Sequence, residues 1–129
     1  MNNEVSSQEF YDGFSAGYRA GRESVGMHVQ NYPIVTLCGS TKFKDNFIEA
    51  QKSLTLQGYI VISVGLFGHS GDDLQGTKEM LDDMHKRKID LADEIFVINP
   101  GGYIGSSTKS EIAYAAAHGK KIRYLEEVN

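Results

Sequence analysis

Residues 93–125, DEIFVINPGGYIGSSTKSEIAYAAAHGKKIRYL, decide the fold. Residues 95–98 form an apolar run with the composition of a buried strand, and residues 100–105 follow with Pro100, Gly101, Gly102 and Gly105. A helix is predicted from near Thr108, with Glu111 in its first turn, and Gly119 stops it before a further strand at 122–125. This is a strand, loop, helix, strand unit whose ligand-facing end carries flexible backbone and one carboxylate.

Upstream, IVTLC at 34–38 runs directly into Gly39 and Ser40, then into a helical pattern through Phe43, Phe47, Ile48, Ala50 and Leu54 that Gly58 closes. YIVISV at 59–64 is the next predicted strand, so the segment reads as a right-handed βαβ unit with parallel strands. GLFGHSGDDLQG at 65–76 is longer than a simple connection needs, which predicts a binding loop or a lid. A helix over 77–91 would bury Met80, Leu81, Met84 and Ile89 and turn Asp82, Asp83, His85, Lys86 and Asp90 outward. Four strands alternating with helices imply an α/β, Rossmann-like doubly wound parallel sheet of order 2-1-3-4. Its switch point lies between the first and third strands, where Gly39, Ser40, Thr41 and Lys42 meet residues 99–107.

Residues 1–32 read as an additional N-terminal helix and linker, with residues 33–129 as the α/β domain. Ser6 and Glu9 fit a capping box, and Phe10, Phe14 and Tyr18 share one face with a stripe of Gly13, Gly17 and Gly21 nearby. Such a helix is expected to pack on its own domain or on a partner subunit, with a mobile tail as the third alternative. With 129 residues, of which 40% are hydrophobic, the chain can bury one core. The net charge of −4 and the scattered basic residues, clustered only at Lys86, Arg87 and Lys88, argue against a nucleic-acid polymer as partner. Cys38 is the single cysteine, which leaves no disulfide framework and suits a reducing cytoplasm. No run approaches the roughly 18 apolar residues of a membrane span, and the polar residues 1–8 do not resemble a signal peptide.

Several residues have both a chemical and a purely structural reading. The Gly39–Ser40–Thr41–Lys42 turn can hold an anion through helix amides and the Lys42 charge, although Gly-Ser before a helix is also ordinary capping chemistry. Glu111 completes a Thr108-x-x-Glu capping box, and the same position aims it into the pocket as nucleophile or base. Asp82, His85 and Asp90 can handle protons or simply face solvent. Asp93 is expected to anchor a helix end, and His69 and His118 to lie on the surface. Phe67 and Tyr103 are base-stacking candidates through their place in pocket loops, with a core anchor as the alternative for Tyr103. Without a cysteine pair or clustered histidines there is no pattern for a structural metal, and no cofactor is implied.

Taken together, CGSTKF at 38–43, KIDLADEIFVIN at 88–99 and GGYIGSSTKSEIAYAAAHGKKI at 101–122 resemble the nucleoside 2-deoxyribosyltransferase-like superfamily, which includes 2'-deoxynucleoside 5'-monophosphate N-hydrolases. The resemblance covers residues 33–125. It implies a flavodoxin-like fold and cleavage of the N-glycosidic bond between a base and (deoxy)ribose, with Glu111 forming a covalent glycosyl-enzyme. Gly39, Ser40, Thr41 and Lys42 would hold a 5'-phosphate, with Gly105, Ser107 and Thr108 completing the site. The family's aspartate falls on His85, so that proton delivery would pass to His85, Asp83 or Asp90, and a strand aromatic of the hydrolases is Thr36 here. Relatives commonly build the site across subunits, which implies a homodimer or larger assembly. A nucleotide-binding module without turnover, or an assembly protein using its N-terminal helix, are the competing expectations.

Overall fold

Strand β1 (Ile34–Gly39) is buried along Val35, Thr36, Leu37 and Cys38, and everything else is arranged about it. In the computed structural model, which describes residues 30–73 and 75–128, β1 is joined by β2 (Ile60–Ile62), β3 (Glu94–Ile98) and β4 (Lys121–Tyr124). The sheet is parallel throughout in the order β2-β1-β3-β4, as the alternation of elements predicted. The expected N-terminal helix, with its glycine and aromatic stripes, lies outside the described residues. Among the described residues no helix is long and apolar enough to cross a membrane.

The two faces of the sheet are covered separately. Val35, Leu37 and Ile98 pack with Phe47, Ala50 and Leu54 of α1 (Lys44–Leu56) on one side. Cys38, Ile95 and Val97 pack with Ile89 of α2 (Lys78–Leu91) and Ala115 of α3 (Ser106–Ala117) on the other. Side chains alternate along a strand, so Val35 and Leu37 serve the α1 layer while Thr36 and Cys38 face α2 and α3. The Thr36 hydroxyl donates to the Lys88 carbonyl at 2.9 Å, which satisfies a buried polar group and fixes α2 on β1.

The elements differ in detail from the pattern. Helix α1 begins at Lys44 with Phe43 as its cap residue, so neither Ser40 nor Thr41 caps it, and Ile48 is exposed. Helix α2 buries His85 and Ile89, whereas Met80 and Met84 are about half exposed, at 49% and 42%. The apolar periodicity misled here because the face of α2 above Cys38 carries an imidazole where a methionine was expected. Asp93, expected to anchor a helix end, instead ties the start of β1 to the start of β3: its Oδ2 accepts from the Ile34 amide at 2.8 Å, and its own amide donates to the Ile34 carbonyl at 2.8 Å.

Two contacts close the fold around the strand ends. A Cβ at Gly39 would stand 2.8 Å from the Ile98 carbonyl oxygen, so only glycine permits this approach of β1 to β3. Lys120 reaches from the turn before β4 and donates to the Asp90 and Ala92 carbonyls at 3.1 and 2.8 Å, capping the otherwise orphaned end of α2. A Gly39→Ala substitution should lower stability by about 1–3 kcal/mol through overpacking against backbone that cannot rotate away. The readout is a lower urea midpoint with an unchanged slope. Lys120→Met should cost about 1–2 kcal/mol while retaining its aliphatic stem, and would show in thermal unfolding as a lower midpoint.

Candidate functional site

A cavity of about 680 Å³ opens over the carboxyl end of β1, at the switch point of the sheet. Its walls carry the 39–42 turn, part of the loop after β2, one face of α2 and the start of α3. Of the sequence candidates, Gly39, Ser40, Thr41, Lys42, His85, Tyr103, Gly105, Ser107, Thr108 and Glu111 all line it. Asp82, Lys88 and His69 line it too.

Helix α3 starts at Ser106 after Gly105, so Thr108 lies within the first turn and Glu111 within the second. The expected Thr108–Glu111 capping box therefore does not form. No side chain among the described residues caps α3, and its first backbone bond of this kind runs from the Lys109 amide to the Gly105 carbonyl at 2.9 Å. The amides of Ser106, Ser107 and Thr108 precede that bond and lie at the cavity wall, where a helix N-terminus favours an anion. The 39–42 turn contributes differently from expectation. The Lys42 amide is already engaged with Ser40 Oγ at 3.3 Å, and the amide of Phe43, just after the turn, with the Ser40 carbonyl at 3.1 Å. Its charge remains in place: Lys42 Nζ sits 3.7 Å from the Tyr103 ring centroid, and Tyr103 packs edge-on against Phe43.

The floor joins three groups that no sequence spacing connects. Cys38 Sγ at the end of β1 lies 3.5 Å from His85 Nε2 of α2, and that nitrogen lies 3.8 Å from Glu111 Oε1 of α3. Burial and the nearby Glu111 push the Cys38 thiol well above its ordinary range. Burial, helped by the Lys88 charge, holds His85 down to about 4 against a hydrogen bond with the Leu37 backbone. Burial raises Glu111 to about 7, although its hydrogen bond with Cys38 acts the other way. Near neutral pH the floor thus holds a neutral imidazole, a neutral thiol and a carboxyl group close to half ionised.

Three expected site residues stand elsewhere. Asp83 is on the outer face of α2, 74% exposed, 3.9 Å from Arg87 Nε. Asp90 pairs with Arg87 at 2.9 Å and accepts from the Tyr114 hydroxyl at 2.7 Å, a surface network away from the cavity. Asp83 and Asp90 precede and follow His85 by steps that place them roughly 160° and 140° round the helix from its inward direction. Phe67 packs edge-on against Phe47 at 5.4 Å and belongs to the α1 core, because the loop turns it inward from its half-buried backbone. His69, expected on the surface, is exposed and also stands at the cavity wall, with its Nδ1 2.7 Å from Thr41 Oγ1. Cys38 was readable only as a buried strand residue. Its alternation with Leu37, which turns it toward α2 and α3, was the one signal that pointed to this contact.

Comparison with known protein families, with curated proteins and with solved structures finds no match.

The raised Glu111 has a stability consequence whose sign follows from linkage. Between pH 4.5, its ordinary value, and about 7 the folded state holds the proton that the unfolded state has lost, so this group makes the native chain less stable as pH rises. Glu111→Gln removes that titration. Its stability relative to the native chain should rise by on the order of 2 kcal/mol between pH 4.5 and pH 7.5 and then level off, as followed by urea unfolding.

Proposed function

We propose that the cavity takes a nucleoside or nucleoside 5'-monophosphate and cleaves or transfers its N-glycosidic bond, with Glu111 as nucleophile. The observation that carries this reading is the position of Glu111, a largely buried carboxylate on the floor of a cavity whose rim holds Lys42 and the start of α3. The cavity volume of about 680 Å³ is in the range of small-molecule sites, roughly 300–1,000 Å³. The resemblance of the 38–43, 88–99 and 101–122 segments to the nucleoside 2-deoxyribosyltransferase-like superfamily supports the same chemistry.

In this reading a phosphate or the sugar hydroxyls sit between Lys42 and the Ser106–Thr108 amides, and Tyr103 offers a ring face to the base. Ionised Glu111 attacks the anomeric carbon, the C–N bond breaks, and its electron pair leaves on the base nitrogen, which takes up a proton. Water or a second base then attacks the same carbon, loses its proton, and frees the carboxylate. Burial serves the nucleophile by removing water that would otherwise solvate it, at the cost of a higher pKa. Asp82, the other carboxylate lining the cavity, is one side chain placed to exchange that proton. His85 is neutral at physiological pH and supplies no imidazolium.

That last observation favours one alternative, a pocket of the same fold that binds a nucleotide without turning it over. A panel of ribo- and deoxyribonucleosides and their 5'-monophosphates, with and without added free base, separates the two readings by chromatography of released or exchanged base. Turnover is expected, with kcat/KM rising as pH passes about 7, where Glu111 ionises. Glu111→Gln should lower it by about a thousandfold or more. Lys42→Ala should raise KM for monophosphates and leave nucleosides nearly unaffected. Saturable binding in calorimetry with no base released would establish the binding module instead, and full activity in Glu111→Gln would overturn the glycosyl-enzyme route.

A further inference from the structure

Cys38, His85 and Glu111 present a sulfur, an imidazole nitrogen and a carboxylate oxygen that all lie within 4.8 Å of one another. We propose that these three side chains form a binding site for a divalent transition metal of the zinc type, with its fourth coordination position open to the cavity. Zinc bond lengths with tetrahedral angles place sulfur and nitrogen about 3.6 Å apart and nitrogen and oxygen about 3.4 Å apart. The corresponding distances are 3.5 and 3.8 Å, and the sulfur and carboxylate oxygen lie within 4.8 Å, so the Glu111 carboxylate would have to turn toward the other two to complete the set.

Each ligand is held by a different element. Cys38 is fixed in the central strand with no exposed surface, His85 is nearly as buried on α2, and Glu111 rises from the second turn of α3. His85 and Glu111 line the cavity while Cys38 stands behind them, so the open position faces the space a small molecule would occupy. Three protein ligands with an open position are the arrangement of reactive rather than purely structural zinc sites. The donor set also selects the ion: one thiolate and one imidazole suit zinc or cobalt, whereas magnesium and calcium take oxygen ligands.

The site does not depend on the nucleoside reading, and its assay needs no substrate. The two uses of Glu111 are alternatives, since a carboxylate bound to metal is not free to attack an anomeric carbon. The test is calorimetric titration of the full chain with Zn²⁺, together with absorption spectra after loading with Co²⁺. One equivalent of Zn²⁺ is expected, with a thiolate-to-cobalt charge-transfer band in the near ultraviolet and no competition from Mg²⁺. Cys38→Ser should abolish the band, and His85→Ala and Glu111→Gln should each weaken Zn²⁺ binding by roughly tenfold or more, whereas Asp83→Asn should leave it unchanged. Glu111→Gln keeps the side-chain volume, and circular dichroism confirms that each variant is folded. Absence of Zn²⁺ binding by the native chain would overturn the proposal, as would binding and a cobalt band that persist unchanged in folded Cys38→Ser.

Discussion

The burial of β1 on both faces is the constraint from which the rest of the structure follows. A strand enclosed by two helical layers has no solvent to satisfy its polar atoms, so every polar group on it must find a protein partner. Thr36 finds one in the Lys88 carbonyl and Cys38 finds one in His85, and both partners lie on α2. The position of α2 is therefore set partly by polar contacts and only partly by apolar packing. This accounts for a helix whose two most buried residues are an isoleucine and a histidine, while Met80 and Met84 are about half exposed.

The same constraint shapes the electrostatics of the cavity floor. Placing an imidazole, a thiol and a carboxyl group together in a poorly solvated space penalises the charged form of each, and the three shifts all run toward neutrality. Lys88 lines the cavity and its charge acts on His85, but its Nζ is held by the Ser63 carbonyl at 2.8 Å, while Lys120 is held at the end of α2. What remains is a set of groups whose charge state responds to whatever enters the cavity. A sugar carbon developing positive charge and a divalent cation are both species that would draw Glu111 into its ionised form.

The rim is built on a different principle. Lys42, Ser106 and Ser107 are exposed and follow glycine-bearing turns, where backbone can approach a ligand closely. The loop after β3 is nonetheless held firmly: Asn99 exchanges hydrogen bonds with the Glu126 backbone at 3.0 and 2.9 Å, and Glu126 Oε2 accepts from the Gly101 amide at 3.0 Å. The segment following β4 thereby fixes the loop that leads into α3, and so fixes the direction in which Glu111 points.

By itself the sequence determined the alternation of strands and helices, the parallel order of the sheet and the end at which a pocket would form. Local rules suffice for these, because the glycine stops, the apolar runs and the handedness of the βαβ crossover each act over a few tens of residues. It also brought Lys42 and Tyr103, on loops, and Glu111, on the helix after one of them, to the cavity, since those segments follow strands whose ends are set by the same rules. Tertiary structure alone decided which way side chains point from α2 and α3, and with it the exclusion of Asp83, Asp90 and Phe67 and the meeting of Cys38, His85 and Glu111. A helix can turn any one of several faces toward a sheet, and the choice rests on the summed packing and hydrogen bonding of residues far apart in the chain. No periodicity within a single helix records that sum.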